Sequence, residues 1–306
     1  MSPRHLALAA LLVCLWGLNF VFTRLALDHI PAVLLVGLRY IGGAALCLVL
    51  PRPPTGLWRL LAITLTMFVG QYVCLYLALD LGFPAGLSSV ALQIQAFFTI
   101  ILAALMLHEH PSSRQWFGTL IAMAGVGLIA ISTTRAGIPF ASVLLLLGAA
   151  VAWAIGNVWM RGAGAYDPLG MIAWMSLLAM VPMLVLSVIF EGAARDWHAI
   201  TSITWPIFGE LVYIAIISTL GGFTIWGYLI KRYPASTIAP ITLAVPVTGA
   251  ASAALILGET FGLFRLAGMA LILLGLVLAA LPLRFGARQR RPAAAPLDEA
   301  LASKEA

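Results

Sequence analysis

Charge is what this chain has least of. Only 9% of its 306 residues are Asp, Glu, Lys or Arg, against about 25% in an ordinary soluble domain. So little charge cannot cover a water-facing surface, which excludes a soluble globular fold. Cysteine is scarce as well. Cys14, Cys47 and Cys74 all lie in apolar runs without Cys-x-x-Cys spacing, which excludes a disulfide framework and a thiolate zinc site. They read as small buried hydrophobes. The chain lacks a Gly-x-x-x-x-Gly-Lys-Ser/Thr phosphate loop, so it does not carry its own ATPase. It also lacks His-Glu-x-x-His. The nearest string, His108-Glu109-His110, puts its two imidazoles on nearly opposite sides of a helix, where they cannot share a metal. The net charge of +6 and pI near 9.6 raise the question of nucleic acid. The charges sit at the ends of apolar runs and in the C-terminal tail, and no basic face with interleaved aromatics forms. The expectation is a non-enzyme with no metal, no cofactor and no nucleic-acid partner.

Hydrophobicity fills the space that charge leaves. The residues are 62% hydrophobic and the mean hydropathy is +1.06. About 20 apolar residues carry a helix across the hydrocarbon layer. Ten runs qualify, at roughly 6–27, 32–50, 58–79, 85–107, 115–133, 139–160, 169–190, 206–230, 235–257 and 263–283. Pro31, Pro51, Pro84, Pro111, Pro139, Pro168, Pro206 and Pro234 fall between runs or at their starts, where proline is tolerated. The runs do not alternate apolar with polar, so a closed β-barrel is not the reading. The fold class expected is an all-α integral membrane protein with ten transmembrane helices. The run Leu6–Leu27 is too long for a signal-peptide core and lacks a small-residue cleavage motif, so it reads as a retained first helix.

Lys and Arg orient such a chain. With the N-terminus inside, eleven basic residues fall on the inner side. The outer side takes four, Arg24, Arg135, Arg195 and Arg265. Both termini are therefore expected to be cytoplasmic. Residues 284–306 are basic, then Ala/Pro-rich, then acidic, and read as a disordered cytoplasmic tail. Its Arg288, Arg290 and Arg291 are placed to meet anionic headgroups.

The same plan is written twice. Trp16 and Arg24 are spaced like Trp153 and Arg161. Pro84-Ala85, Glu109, Gly118 and Gly125 recur 150 positions on as Pro234-Ala235, Glu259, Gly268 and Gly275. Five runs per copy put the copies in opposite orientations. The boundaries expected are 1–137 and 138–283, two inverted five-helix repeats of the kind common in secondary transporters.

Polar groups inside spans usually face the bundle interior or a water-filled cavity. Arg39 lies eight residues past Pro31, about 12 Å along a helix and near the middle of the hydrocarbon. A guanidinium there can grip a carboxylate bidentately, or brace the bundle by bonding carbonyls or an amide; both readings stay open. The second copy has no matching Arg, its equivalent region being Trp174-Met175-Ser176. Asn19 and Asn157 sit at near-equivalent depths in the first and sixth spans, and Gln71, Gln93 and Gln95 in the third and fourth. Each is a cavity group or an interhelical amide. Trp16, Tyr72, Tyr76, Trp153 and Trp226 are cavity walls, interfacial aromatics or packing. Pro240 and Pro246 interrupt the ninth span, either as kinks or as the border of a site. Glu210, about a turn inside the eighth span, is the candidate for proton coupling, and Glu109 and Glu259 are candidates for gates.

The strings WGLNFVFTRLAL at 16–27, FPAGLSSVALQIQAFFTIILAALMLHE at 83–109, AWAIGNVWMR at 152–161 and IWGYLIKRYPASTIAPITLAVPVTGAASAALILGE at 225–259 resemble the ten-span drug/metabolite transporter superfamily and, within it, the EamA-type exporters. The resemblance covers nearly all of 6–283. It implies a monomeric exporter of small amino-acid-like metabolites, of the O-acetylserine/cysteine type, in a bacterial inner membrane. It also implies alternating access through a cavity between spans 1, 3, 4, 6, 8 and 9. Asn19, Tyr76, Gln95, Trp153, Asn157, Trp226 and Thr242 map to that cavity, with Arg39 beside it in the second span. Export of aromatic amino acids, drugs or other metabolites, or a non-transporting helper role, are the alternatives.

Overall fold

The computed structural model describes residues 1–108, 110–164, 166–230, 232–233 and 244–280. Glu109, Pro234, Ala235, Pro240, Thr242 and the tail 284–306 lie outside the described residues. Every regular element among those described is helical. Ten apolar helices follow in chain order: α1 Pro3–Leu27, α2 Ala32–Leu48, α3 Leu57–Asp80, α4 Ala85–Leu107, α5 Ser113–Arg135, α6 Phe140–Met160, α7 Pro168–Thr201, α8 Trp205–Leu229, α9 Val245–Leu257 and α10 Leu263–Ala279. Seven are long and apolar enough to cross a membrane; α2, α9 and α10 are shorter. The outer surface is apolar, with Leu48, Trp58, Leu105, Trp205 and Leu255 among its exposed side chains. That surface suits lipid, not water.

Local side chains cap three of the helix starts. Ser2 caps α1 by accepting from His5 N, with Pro3 in the first turn. Ser112 and Gln115 close a reciprocal capping box on α5. Asp167 caps α7, accepting from Gly170 N at 2.9 Å. Each supplies partners for N–H groups that a helix start leaves free. Hydroxyls within spans turn back on their own helix, as Thr64 Oγ1 does to Leu60 O and Thr99 Oγ1 to Gln95 O.

The doubled plan is visible at the α5–α10 crossing. A Cβ on Gly118 would lie 2.6 Å from Gly275 O, and one on Gly275 would lie 2.5 Å from Gly118 O. Gly125 and Gly268 are related in the same way, at 2.6 Å and 2.8 Å. Gly118 and Gly125 are the repeat counterparts of Gly268 and Gly275, so each glycine meets the counterpart of the other. A contact that exchanges with itself in this manner is the mark of a two-fold axis. Only residues without a Cβ let the two backbones approach so closely.

The helix ends repeat too. α4 stops at His108 with φ 54° and α9 at Gly258 with φ 67°; the N–H groups of these residues bond Ala103 O and Ala253 O. These pairs are also 150 positions apart. The left-handed conformation suits Gly258 and strains His108. Replacing exposed His108 by glycine is expected to stabilise the protein by about 1 kcal/mol, read as a higher melting temperature in detergent.

Two expectations change. Cys14 is exposed and Cys47 and Cys74 are half-buried: in a lipid-facing helix an apolar neighbourhood does not mean burial. Pro246 lies in the first turn of α9, where its missing N–H goes unneeded.

Candidate functional site

Alternate crossings bring α1's C-terminal end, the starts of α2 and α4, the Gly192 bend of α7 (φ 94°) and the end of α9 to one face, here called the far face. α2 and α4 both begin after a proline, Pro31 and Pro84, and neither has a side-chain cap of its own. The caps come from the other half of the chain. Glu191, beside the α7 bend, accepts from Val33 N at 3.0 Å and Leu34 N at 2.9 Å. Glu259, just past α9, accepts from Ala85 N at 2.6 Å and Gly86 N at 3.0 Å. A carboxylate at a helix N-terminus satisfies free N–H groups and meets the positive end of the dipole. Burial pushes the Glu259 carboxyl above the usual carboxylate range. The Gly86 and Ala85 N–H bonds, and the nearby Arg265 and Arg24 charges, pull it back. Ser187 Oγ lies 2.9 Å from Glu191 and 2.8 Å from buried Asp196, tying the α7 bend together.

The centre of the bundle holds Arg39, 3% exposed. Its Nη1 donates to Tyr76 Oη at 2.9 Å and Asn19 Oδ1 at 3.2 Å, and its Nη2 donates to Tyr72 Oη at 3.2 Å. The Tyr72 ring also stacks under the guanidinium, 4.2 Å from ring centre to Cζ. The tyrosines are held in turn. Tyr72 and Tyr76 meet edge to face at 5.9 Å, and Tyr40 stacks on Phe68 at 4.9 Å while donating to Phe68 O at 2.8 Å. None of the groups around Arg39 among the described residues is a carboxylate. An ion out of water without a counter-ion costs several kcal/mol. Hydrogen bonds to a charged group return about 1.5–3 kcal/mol each, and the cation–π contact about 1–2.

The sequence candidates thus fall into groups. Arg39, Asn19 and Tyr76 share one cluster, together with Tyr72. Gln95 and Asn157 form a second, linked through Thr99. Thr99 Oγ1 donates to Gln95 O, and Asn157 Nδ2 lies 3.2 Å from Thr99 Oγ1. Gln95 follows a tight 3₁₀ turn, Leu92–Ile94, inside α4, and its Oε1 is buried without a partner among the described residues. Trp153 packs against the main core on α6, one turn before Asn157. Trp226 is elsewhere, beside Trp16 at 5.8 Å in a small cluster with Ala9, Leu12 and Leu229. Glu210, near the far-face start of α8, has a buried Oε2 without a partner among the described residues. Tyr72 carries more of the site than its sequence reading assigned, and Glu191 enters the site without one. A helix that starts at proline without Ser, Thr, Asp or Asn before it was the available signal that an outside cap was needed.

Ten apolar helices in two inverted halves, with a buried polar cluster in the first of them, define a multi-pass membrane transporter. The comparisons make this specific. The model of the EamA-like transporter family matches residues 4–131 and again 140–281. A probable amino-acid metabolite efflux pump of Salmonella typhimurium is 38% identical over 96% of this chain and 99% of its own length. A protein of Escherichia coli K12 with the same description is 36% identical over 93% of this chain and 97% of its own. A solved crystal structure, 18% identical, superposes with a TM-score of 0.59 over 91% of this chain and 97% of that one, and so shares the fold. The chain belongs to the EamA-like transporter family. It is a membrane-embedded transporter of small molecules and not an enzyme.

Proposed function

We propose that the chain exports amino-acid-related metabolites, of the O-acetylserine and cysteine type, across a bacterial inner membrane by alternating access. The observation that carries this reading is its near full-length likeness to two efflux pumps described by amino-acid metabolites. The polar cluster of Asn19, Arg39 and Tyr76 at the bundle centre supports it, since a small zwitterion needs polar partners at membrane depth. Gln95, Asn157 and Trp153 make a second wall, and Trp226 and Thr242 complete the expected lining. The two halves are residues 1–137 and 138–283. With both termini cytoplasmic, the far face is the outer one, and Glu191 and Glu259 close it by clasping α2 and α4. Glu109, the repeat counterpart of Glu259, is the matching gate for the inner face. Proteoliposomes holding the purified chain should release labelled cysteine or O-acetylserine well above empty vesicles. Equal release would end the proposal.

Glu210 is the coupling group in this reading, because its buried carboxyl oxygen has no partner among the described residues. In the wild type, an inward proton gradient should accelerate efflux. Glu210→Gln should keep downhill efflux and lose that acceleration. Gradient-independent rates in the wild type would instead mark a facilitator.

A further inference from the structure

Counting the hydrogens around Arg39 identifies what is missing from its cluster. A guanidinium has five N–H groups and no acceptor. Asn19 and Tyr76 take the two on Nη1, and Tyr72 takes one on Nη2. Nε has no partner, and the second Nη2 hydrogen has none either among the described residues. Tyr72 and Tyr76 accept from Arg39, and neither hydroxyl finds an acceptor for its own proton among the described residues. The cluster therefore holds a buried positive charge and four donor hydrogens without an acceptor among the described residues. Nε and Nη2 share one edge of the guanidinium plane, the edge that a carboxylate meets with two parallel bonds. The two bonds on Nη1 hold the guanidinium in place.

We infer that the open edge of Arg39, with the Tyr72 and Tyr76 hydroxyls, binds the carboxylate of the transported metabolite. The inference rests on the export reading and deepens it by naming the substrate class, a monocarboxylate of amino-acid type. A carboxylate brings two oxygens and about four acceptor positions, enough for the four waiting hydrogens. It also brings the missing negative charge. Binding is then favoured by both shape and charge, while a neutral amide offers one oxygen and no charge. The second half has Trp174-Met175-Ser176 at the equivalent place, so the carboxylate end of the substrate is held by the first half.

The test pairs cysteine and O-acetylserine with their carboxamides, which keep the side chain and amino group and lose the anion. Affinities are measured on the purified full chain by calorimetry, and efflux in proteoliposomes. The wild type should bind the acids about tenfold to a hundredfold more tightly than the amides, the span of one or two charged hydrogen bonds. Arg39→Gln should lower acid affinity to that of the amide and leave amide affinity unchanged. Arg39→Lys, which keeps the charge without the fork, should fall between. Tyr72→Phe should weaken the acids several-fold and spare the amides. Equal wild-type affinity for acid and amide overturns the inference, a result that stands even if no Arg39 variant folds. So does an Arg39→Gln protein that retains the acid preference. Efflux of acid and amide alike would leave the export reading intact, whereas efflux of neither would remove that reading instead.

Discussion

Replacing Glu259 with alanine unclasps the far face. The carboxylate accepts from Ala85 N and Gly86 N at the start of α4, and both residues are buried. Removing it leaves two amide hydrogens without acceptors, at about 1–3 kcal/mol each. The loss falls only on the clasped conformation, because in an open face water reaches the same groups. The equilibrium should therefore shift toward the open form by at least about 2 kcal/mol, or roughly thirtyfold. Ser89 reports the change. It is 2% exposed, its Oγ lies 3.2 Å from Pro246 O, and it packs beneath Gly249. A Ser89→Cys probe, made after replacing the three native cysteines, should resist a thiol reagent in the wild-type background. It should react about thirtyfold faster with Glu259→Ala. Glu191→Ala should act in the same direction through α2. Unchanged labelling in both would show that the two carboxylates are fixed struts.

The second large effect is at the α5–α10 crossing. Gly125→Leu should prevent normal assembly, since even its Cβ would lie 2.6 Å from Gly268 O and 3.0 Å from Ile272. Backbone oxygen cannot rotate out of the way, so the helices must separate. Overpacking by a methylene or two costs about 1–3 kcal/mol in an interior, and a full leucine at a backbone contact costs more. Gly127 is the internal control. It lies on the same helix, and a Cβ added there would meet nothing within 4 Å, so Gly127→Ala should be neutral or stabilise by up to about 1 kcal/mol. A fluorescent-detection size-exclusion profile with a thermal ramp would separate the two. Equal melting temperatures for Gly125→Leu and Gly127→Ala would refute the close crossing.

These two sites differ in how far the sequence announces them. The spans were legible because the hydrocarbon layer sets a minimum length, and apolar runs punctuated by proline meet it. The repeat was legible because Gly118, Gly125, Gly268 and Gly275 keep their spacing. What a span faces is harder to read. In water an apolar stripe marks the buried side of a helix, but in lipid both sides are apolar. For that reason Cys14 read as buried and is exposed. Arg39 stood out by its charge and depth and Tyr76 through the resemblance, yet Tyr72 was one aromatic among several until the fold set it against the guanidinium. Nothing near Glu191 in the sequence announces its role, because the Val33 N–H it accepts from is 158 positions away. Long-range partners of this kind follow from topology and leave only an indirect trace, here a proline-started helix without a cap.

Counterflow tests the central claim most directly. Vesicles holding the purified chain are loaded with unlabelled O-acetylserine and placed in a trace of labelled cysteine. An alternating-access carrier with one site for both should draw the label in above its equilibrium level and then release it. Uptake that ignores the internal load, or matches empty vesicles, would contradict the account.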